Sequence, residues 1–195
     1  MKNIILRAIV ALCFTGLMMG ANASTVSLVP QTATTNLIPG AVVSFAVDVD
    51  FSSDGSTLGG GFDVMFDPTF LSYNGDATLT LGDPAFGRVP DDCSIVACAG
   101  GGAGLLESWA FGDFNTVVAG TVGTLSFTVQ QVGSSFVSLG PTSGIGGPFV
   151  SGVDFVTILN PTYNAIEVTA VPVPAAAWLF GSALGLLGWA RRRKA

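Results

Sequence analysis

The sequence predicts an all-β domain, a single antiparallel β-sandwich of jelly-roll or immunoglobulin-like type, set between two apolar end segments. Three observations lead there. Apolar residues recur with period two rather than 3.6 almost everywhere between residues 24 and 171. Glycine and proline pairs punctuate those runs, as at Ile38-Pro39-Gly40, Asp54-Gly55, Asp67-Pro68, Asn74-Gly75, Gly140-Pro141 and Asn160-Pro161. No stretch between the ends offers an amphipathic helix of three turns.

The first strand is expected at Thr25–Val29. Val43, Phe45, Val47, Val49 and Phe51 then alternate with Ser44, Ala46, Asp48 and Asp50, so one face is buried and the other wet. Phe62, Val64 and Phe66 alternate with Asp63 and Met65, and Leu125, Phe127 and Val129 with Ser126, Thr128 and Gln130. Further strands are expected at Ala77–Leu81, Leu105–Phe111, Ser135–Leu139, Val153–Leu159 and Ala165–Ala170, about nine in all, enough for two packed sheets.

The ends read as export signals. Met1–Ala23 has the layout of a secretory signal peptide: Lys2 and Arg7, the apolar run Ala8–Met19, and an A-x-A site at Ala21-Asn22-Ala23. Cleavage there leaves Ser24 first; a retained anchor helix is the alternative. At the other end, a Pro-x-Pro break at Pro172-Val173-Pro174 precedes the uncharged run 175–190, and Arg191, Arg192, Arg193 and Lys194 follow at once. A helix over 175–190 would span roughly 24 Å, a little short of a hydrocarbon core of roughly 30 Å. The basic cluster stays on the cytoplasmic side, and a purely apolar core helix would lack a polar face. The expected division is therefore 1–23 signal peptide, 24–170 sandwich and 171–195 sorting segment with inner-membrane passage.

Removing the ends changes the charge. All 13 acidic residues lie between Ser24 and Val171, against Arg88 alone, a formal charge of −12. Such a surface repels phosphate backbones and anionic lipid, so nucleic-acid binding is not expected. Cys93 and Cys98 sit five apart in a Gly/Asp-rich stretch, and in an oxidising compartment a small-loop disulfide is the expected state. A zinc site would need further ligands, and the chain has no histidine.

Enzymatic chemistry finds little footing. Between the signals there is neither histidine nor lysine, which removes Ser-His-Asp triads, Ser-Lys dyads and Schiff bases. Gly100-Gly101-Gly102-Ala103-Gly104 lacks a P-loop lysine and reads as a loop. The close carboxylate pairs Asp91-Asp92 and Asp48/Asp50 look solvated. Asp48, Asp50, Asp54, Asp63 and Asp67 surround one strand–loop–strand unit and raise the question of Ca²⁺, but without a D-x-D-x-D-G loop solvated surface acids are expected. No cofactor is expected. Among aromatics that could stack on a sugar, Tyr73, Trp109, Phe114 and Tyr163 are the candidates, with Trp109 in a strand apolar on both faces and so placed in the core.

Two resemblances complete the reading. Val171-Pro172-Val173-Pro174-Ala175-Ala176-Ala177, then Trp178-Leu179-Phe180-Gly181-Ser182, Gly188 and Arg191–Lys194, resemble the PEP-CTERM sorting signals of Gram-negative bacteria in their Val-Pro-x-Pro-Ala variant. Val173 stands where the family's name-giving Glu lies. The resemblance implies an exosortase as processing partner and delivery to the cell surface or beyond, often in bacteria that make exopolysaccharide. Gly60-Gly61-Phe62 through Asp67-Pro68-Thr69-Phe70-Leu71, together with Gly120 to Val129 and the opening Val26–Val29, Pro39-Gly40 and Val42–Val49, resemble cohesin-like domains. That resemblance implies a sandwich that binds protein modules such as dockerins and shares its fold with carbohydrate-binding modules. The expected function is an exported, non-enzymatic surface or matrix protein acting through protein–protein or cell–matrix contact; the alternative is a carbohydrate-binding module for exopolysaccharide.

Overall fold

The computed structural model describes residues 23–172 together with 179–180 and 182–184, the last five helical. Twelve strands follow one another: β1 Thr25–Pro30, β2 Val42–Asp50, β3 Thr57–Met65, β4 Leu71–Tyr73, β5 Asp91–Asp92, β6 Leu105–Val117, β7 Ala119–Val129, β8 Gly133–Pro141, β9 Phe149–Ser151, β10 Ile158–Leu159, β11 Thr162–Tyr163 and β12 Ala165–Ala170. They form two sheets. One has the order β11-β1-β2-β7-β4; the other runs β10-β9-β3-β6-β5, with β8 pairing β3 beyond β9 and β12 pairing β8. Every strand pair is antiparallel except β1 with β11. The expected all-β sandwich is the architecture observed.

The alternation read from β2 sets the core. Val43, Phe45, Val47 and Val49 are buried and meet Val122, Leu125, Phe127 and Val129 of β7. From the facing sheet come Phe62, Val64, Leu106, Trp109, Phe111, Val137 and Leu139. Aromatic rings cluster in this core: Phe45 meets Phe127 edge to face at 6.3 Å and Phe66 lies tilted 4.9 Å from Phe127, while Phe51 and Phe111 lie tilted 5.0 Å and 5.8 Å from Phe149.

Strand β3 is the hub of its sheet, paired with β6 on one side and with β8 and β9 on the other. Its glycines permit the crowding. A Cβ on Gly59 would stand 2.1 Å from the Phe111 carbonyl oxygen, and one on Gly60 would stand 2.7 Å from the Phe149 backbone. The loop 142–148 also lies over Gly61, whose Cβ would come 3.2 Å from Gly146 Cα.

Two segments depart from the expected strands. Ala77–Leu81 runs beside β7 without joining it as a ladder strand. Thr78 and Thr80 donate their amides to Thr124 and Val122, but Thr124 returns its amide to the Thr78 hydroxyl rather than to a carbonyl. Val153–Leu159 is mostly the tip of the β9–β10 hairpin, because the Asp154 carboxylate takes the amides of Val156 and Thr157 that a strand would need.

The strand directions give the sandwich two poles. Ser24, the 3₁₀ turn Ser52–Asp54, the β6–β7 turn at Val118 and the β9–β10 tip lie at one. Residues 38–41, 130–133 and the exit from β12 lie at the other. We expect Gly60→Ala to destabilise the fold by about 1–3 kcal/mol in urea denaturation, as overpacking does. Gly102→Ala, where a Cβ meets open space, should stay within about 0.5 kcal/mol of the native chain.

Candidate functional site

The outer face of the β8–β3–β6 sheet buries two carboxylates. Asp63 of β3 and Glu107 of β6 sit where the pairing of these strands shifts register between Phe62 and Val64. The irregularity turns Ser108 to φ +66°, and its amide reaches Asp63 Oδ1 at 2.8 Å. Asp63 Oδ2 accepts the Ser143 amide at 2.8 Å and the Ser143 hydroxyl at 2.6 Å. Glu107 Oε1 accepts the Gly100 amide at 2.6 Å and lies 3.0 Å from the same hydroxyl, while Oε2 accepts the Ala99 amide at 3.2 Å. A serine has one proton to give, so the shorter contact to Asp63 takes the larger share.

All four oxygens thus serve the protein's own donors, and the pair acts as a latch. It ties the loop after Cys98 and the loop after β8 to the sheet. Side chains on the neighbouring glycines would obstruct it: a Cβ at Gly144 would stand 2.7 Å from Glu107 Oε2, and one at Gly100 would stand 2.0 Å from the Ser143 hydroxyl. Cys93 and Cys98 are joined in a disulfide beside the latch, with Cα atoms 5.4 Å apart. Burial pushes the Glu107 carboxyl up, but the amides of Gly100 and Ala99, the Ser143 hydroxyl and the charge of Arg88 outweigh it and hold the group below its ordinary value.

The five aspartates weighed for Ca²⁺ do not converge. Asp48 accepts the Thr121 hydroxyl, Asp50 the Ser52 amide, Asp54 the Ser24 hydroxyl and Asp67 the amide and hydroxyl of Thr69. Asp63, expected at the wet surface, is buried instead, because its donors come from segments 45 and 80 residues away in sequence. Among the described residues the one set of three His, Cys, Asp or Glu side chains within reach of a shared ion is Cys93, Cys98 and Glu107, and both sulfurs are already bonded to each other. Arg88, the one cation among the described residues, pairs with Asp91, both partly exposed.

The aromatic candidates separate. Trp109 is fully buried, 5.4 Å from Phe62. Tyr73 is half-buried and accepts the Ala77 amide at 2.9 Å. Phe114 is 77% exposed and meets Phe86 edge to face at 4.8 Å, which leaves no flat two-ring platform. Tyr163 lines a cleft of about 310 Å³ with Pro141, Pro148, Phe149, Asn160 and Pro161. Burial, and secondarily Asp63, raise its phenol above the ordinary value.

At the ends, Ala23 is exposed and Ser24 buried, its hydroxyl on Ser53 and Asp54. Val171 donates its amide to the Leu37 carbonyl at 2.7 Å and Pro172 is exposed. Ala21, Val173, Pro174, Ala175, Arg191, Arg192, Arg193 and Lys194 lie outside the described residues. Among the described residues no helix is long and apolar enough to cross a membrane.

No protein-family model matches the sequence, and no curated protein matches it. Solved structures do. A type I cohesin from Clostridium thermocellum, solved as a cohesin–dockerin complex, aligns with TM-score 0.55 over 77% of this chain and all of that one, at 11% identity. The sixth cohesin of scaffoldin B from Acetivibrio cellulolyticus, in complex with a dockerin, gives 0.51 over 74% of this chain and 97% of that one, at 19% identity. A type III cohesin from a cell-surface anchoring scaffoldin of Ruminococcus flavefaciens gives 0.51 over 75% and 88%, at 18% identity. The fold is a cohesin-like β-sandwich.

The latch bears on stability through pH. Glu107 titrates lower folded than its ordinary 4.5, so the unfolded chain binds the extra proton. The stabilisation is present above that value and is lost as pH falls through the folded one. Melting temperatures measured from about pH 6 to about pH 3 should therefore fall less in Glu107→Gln than in the native chain, and equal losses would show that Glu107 holds nothing.

Proposed function

We propose that this chain is an exported, non-enzymatic surface protein that acts through protein–protein contact, presented on a cohesin-like sandwich. The observation that supports it most is the fold. The solved structures it resembles include cohesins captured in complex with dockerins. The composition agrees: residues 24–171 lack histidine and lysine, and the buried carboxylates are committed to backbone amides.

The two ends supply the address. Ser24 is tied into the sandwich at one pole and Val171 makes a backbone bond at the other. The N-terminal segment directs export by the general secretory route. The C-terminal segment holds an inner-membrane intermediate until an exosortase removes it, and the rest passes to the cell surface or medium. Released protein from the natural host should lack the tail by intact mass, and an exosortase deletion should retain it. Full-length chain ending in Ala195 at the surface in both strains would reduce the tail to a plain anchor.

A second reading, binding of exopolysaccharide, has the Tyr163 cleft in its favour. Saturable binding of the exported protein to intact host cells distinguishes the two. Protein contact requires that protease treatment of the cells abolish binding and that Tyr163→Ala leave it unchanged. Binding that survives protease, but disappears with the polysaccharide and with Tyr163, would establish the sugar instead.

A further inference from the structure

The β9–β10 tip exposes a cluster of large apolar side chains. Within six residues Val153, Phe155, Val156 and Ile158 are 66%, 61%, 81% and 55% exposed. The tip is nevertheless tightly built. Ser151 donates its amide to the Thr157 carbonyl at 2.8 Å, Phe155 its amide to the Ser151 carbonyl at 3.1 Å, and Val153 its amide to the Ser151 hydroxyl at 3.1 Å. Asp154 Oδ1 accepts the amides of Val156 and Thr157, and Oδ2 the Thr157 hydroxyl. Phe155 is held at φ +61°, a left-handed conformation that costs a non-glycine residue on the order of 1 kcal/mol or more. The hydrogen bonds fix this strained backbone while the side chains around it remain in water.

The neighbouring turn extends the surface. Thr57 pairs with Ser151 on one side and Val117 on the other, and a Cβ on Gly152 would stand 2.9 Å from Thr116 Cβ. Val118 is therefore beside the tip, and it too is exposed. Among the described residues the charged groups on this pole are Asp50, Asp54, Asp113 and Asp154, all acidic. Arg88, the one cation among the described residues, is already paired with Asp91. From the Ala170 row to the Ser151 row the register spans roughly 40 Å at about 3.3 Å per residue. The tip thus points away from the end where the chain leaves toward its C-terminal segment.

We propose that this pole is the contact surface of the protein-binding function given above, on which the inference rests, and that its partner is a protein face with an apolar pocket ringed by Lys or Arg. The apolar side chains enter the pocket and the four carboxylates meet its cationic rim. A second copy would set acids against acids, and an anionic membrane would repel the same pole.

The test replaces Phe155 by p-benzoylphenylalanine in the full chain expressed in its natural host, with Phe136, exposed on the outer face of β8, replaced likewise for comparison. Irradiation should give a protein adduct from position 155 whose yield drops several-fold in about 0.5 M salt and in Val156→Asp. Vesicles of phosphatidylcholine should not sediment the exported protein. Protein adducts from 136 but not 155 would overturn this inference and leave the protein-contact reading standing. No protein adduct from either position would overturn both. Adducts at 155 with lipid or with a second copy alone, adducts insensitive to salt, or vesicle binding lost on Val156→Asp would also overturn it.

Discussion

Three elements converge on the glycines of β3, and the outer half of the molecule depends on that approach. Gly59 lets β6 come within backbone contact, Gly60 does the same for β9, and Gly61 receives the loop after β8. A side chain at any of them would push apart strands that β3 joins on both edges. The glycines weaken the strand locally through entropy and lost packing. Phe62 and Val64, immediately after, restore it by burying fully against Trp109 and the facing sheet.

With the strands that close, their register can shift without opening the sheet, and the shift is where the buried carboxylates lie. Charge buried without partners would cost several kcal/mol per ion. Here amides from three separate segments and one hydroxyl compensate it. The latch, the disulfide and the glycine-rich loops together make a firm outer face from residues that would otherwise be mobile connections. The opposite strategy governs the β9–β10 tip, where hydrogen bonds fix the backbone but nothing among the described residues covers the side chains.

Legibility in the sequence followed distance along the chain. β12 was readable to its ends, since its alternation is local and its register on β8 is unbroken. β2 was readable because one face is uniformly apolar. By alternation β3 was seen only from Phe62, as Thr57–Gly61 carries the glycines that strand propensity disfavours, and β7 only from Leu125, past Gly120 and Gly123; the likeness to cohesins carried them back to Gly60 and Gly120. The hairpin tip resembled a strand because Val153, Phe155 and Val156 are β-formers, and the turn signal was the single Asp154. Asp63 looked solvated because its partner Ser143 is 80 residues away, and Glu107 gave no signal at all, sharing that partner across 36 residues. Of the site itself, the sequence offered the cysteine pair and little else.

We expect β3 and the latched loops to form one cooperative body from which only the tip stands out. Native-state hydrogen exchange resolved by residue measures this directly. The amides of Phe62, Val64, Ser108 and Ser143 should exchange together and last, at the rate of global unfolding. The amides of residues 152–158 should exchange earlier. Exchange of Ser108 and Ser143 at loop rates, with Phe62 and Val64 still protected, would contradict the claim.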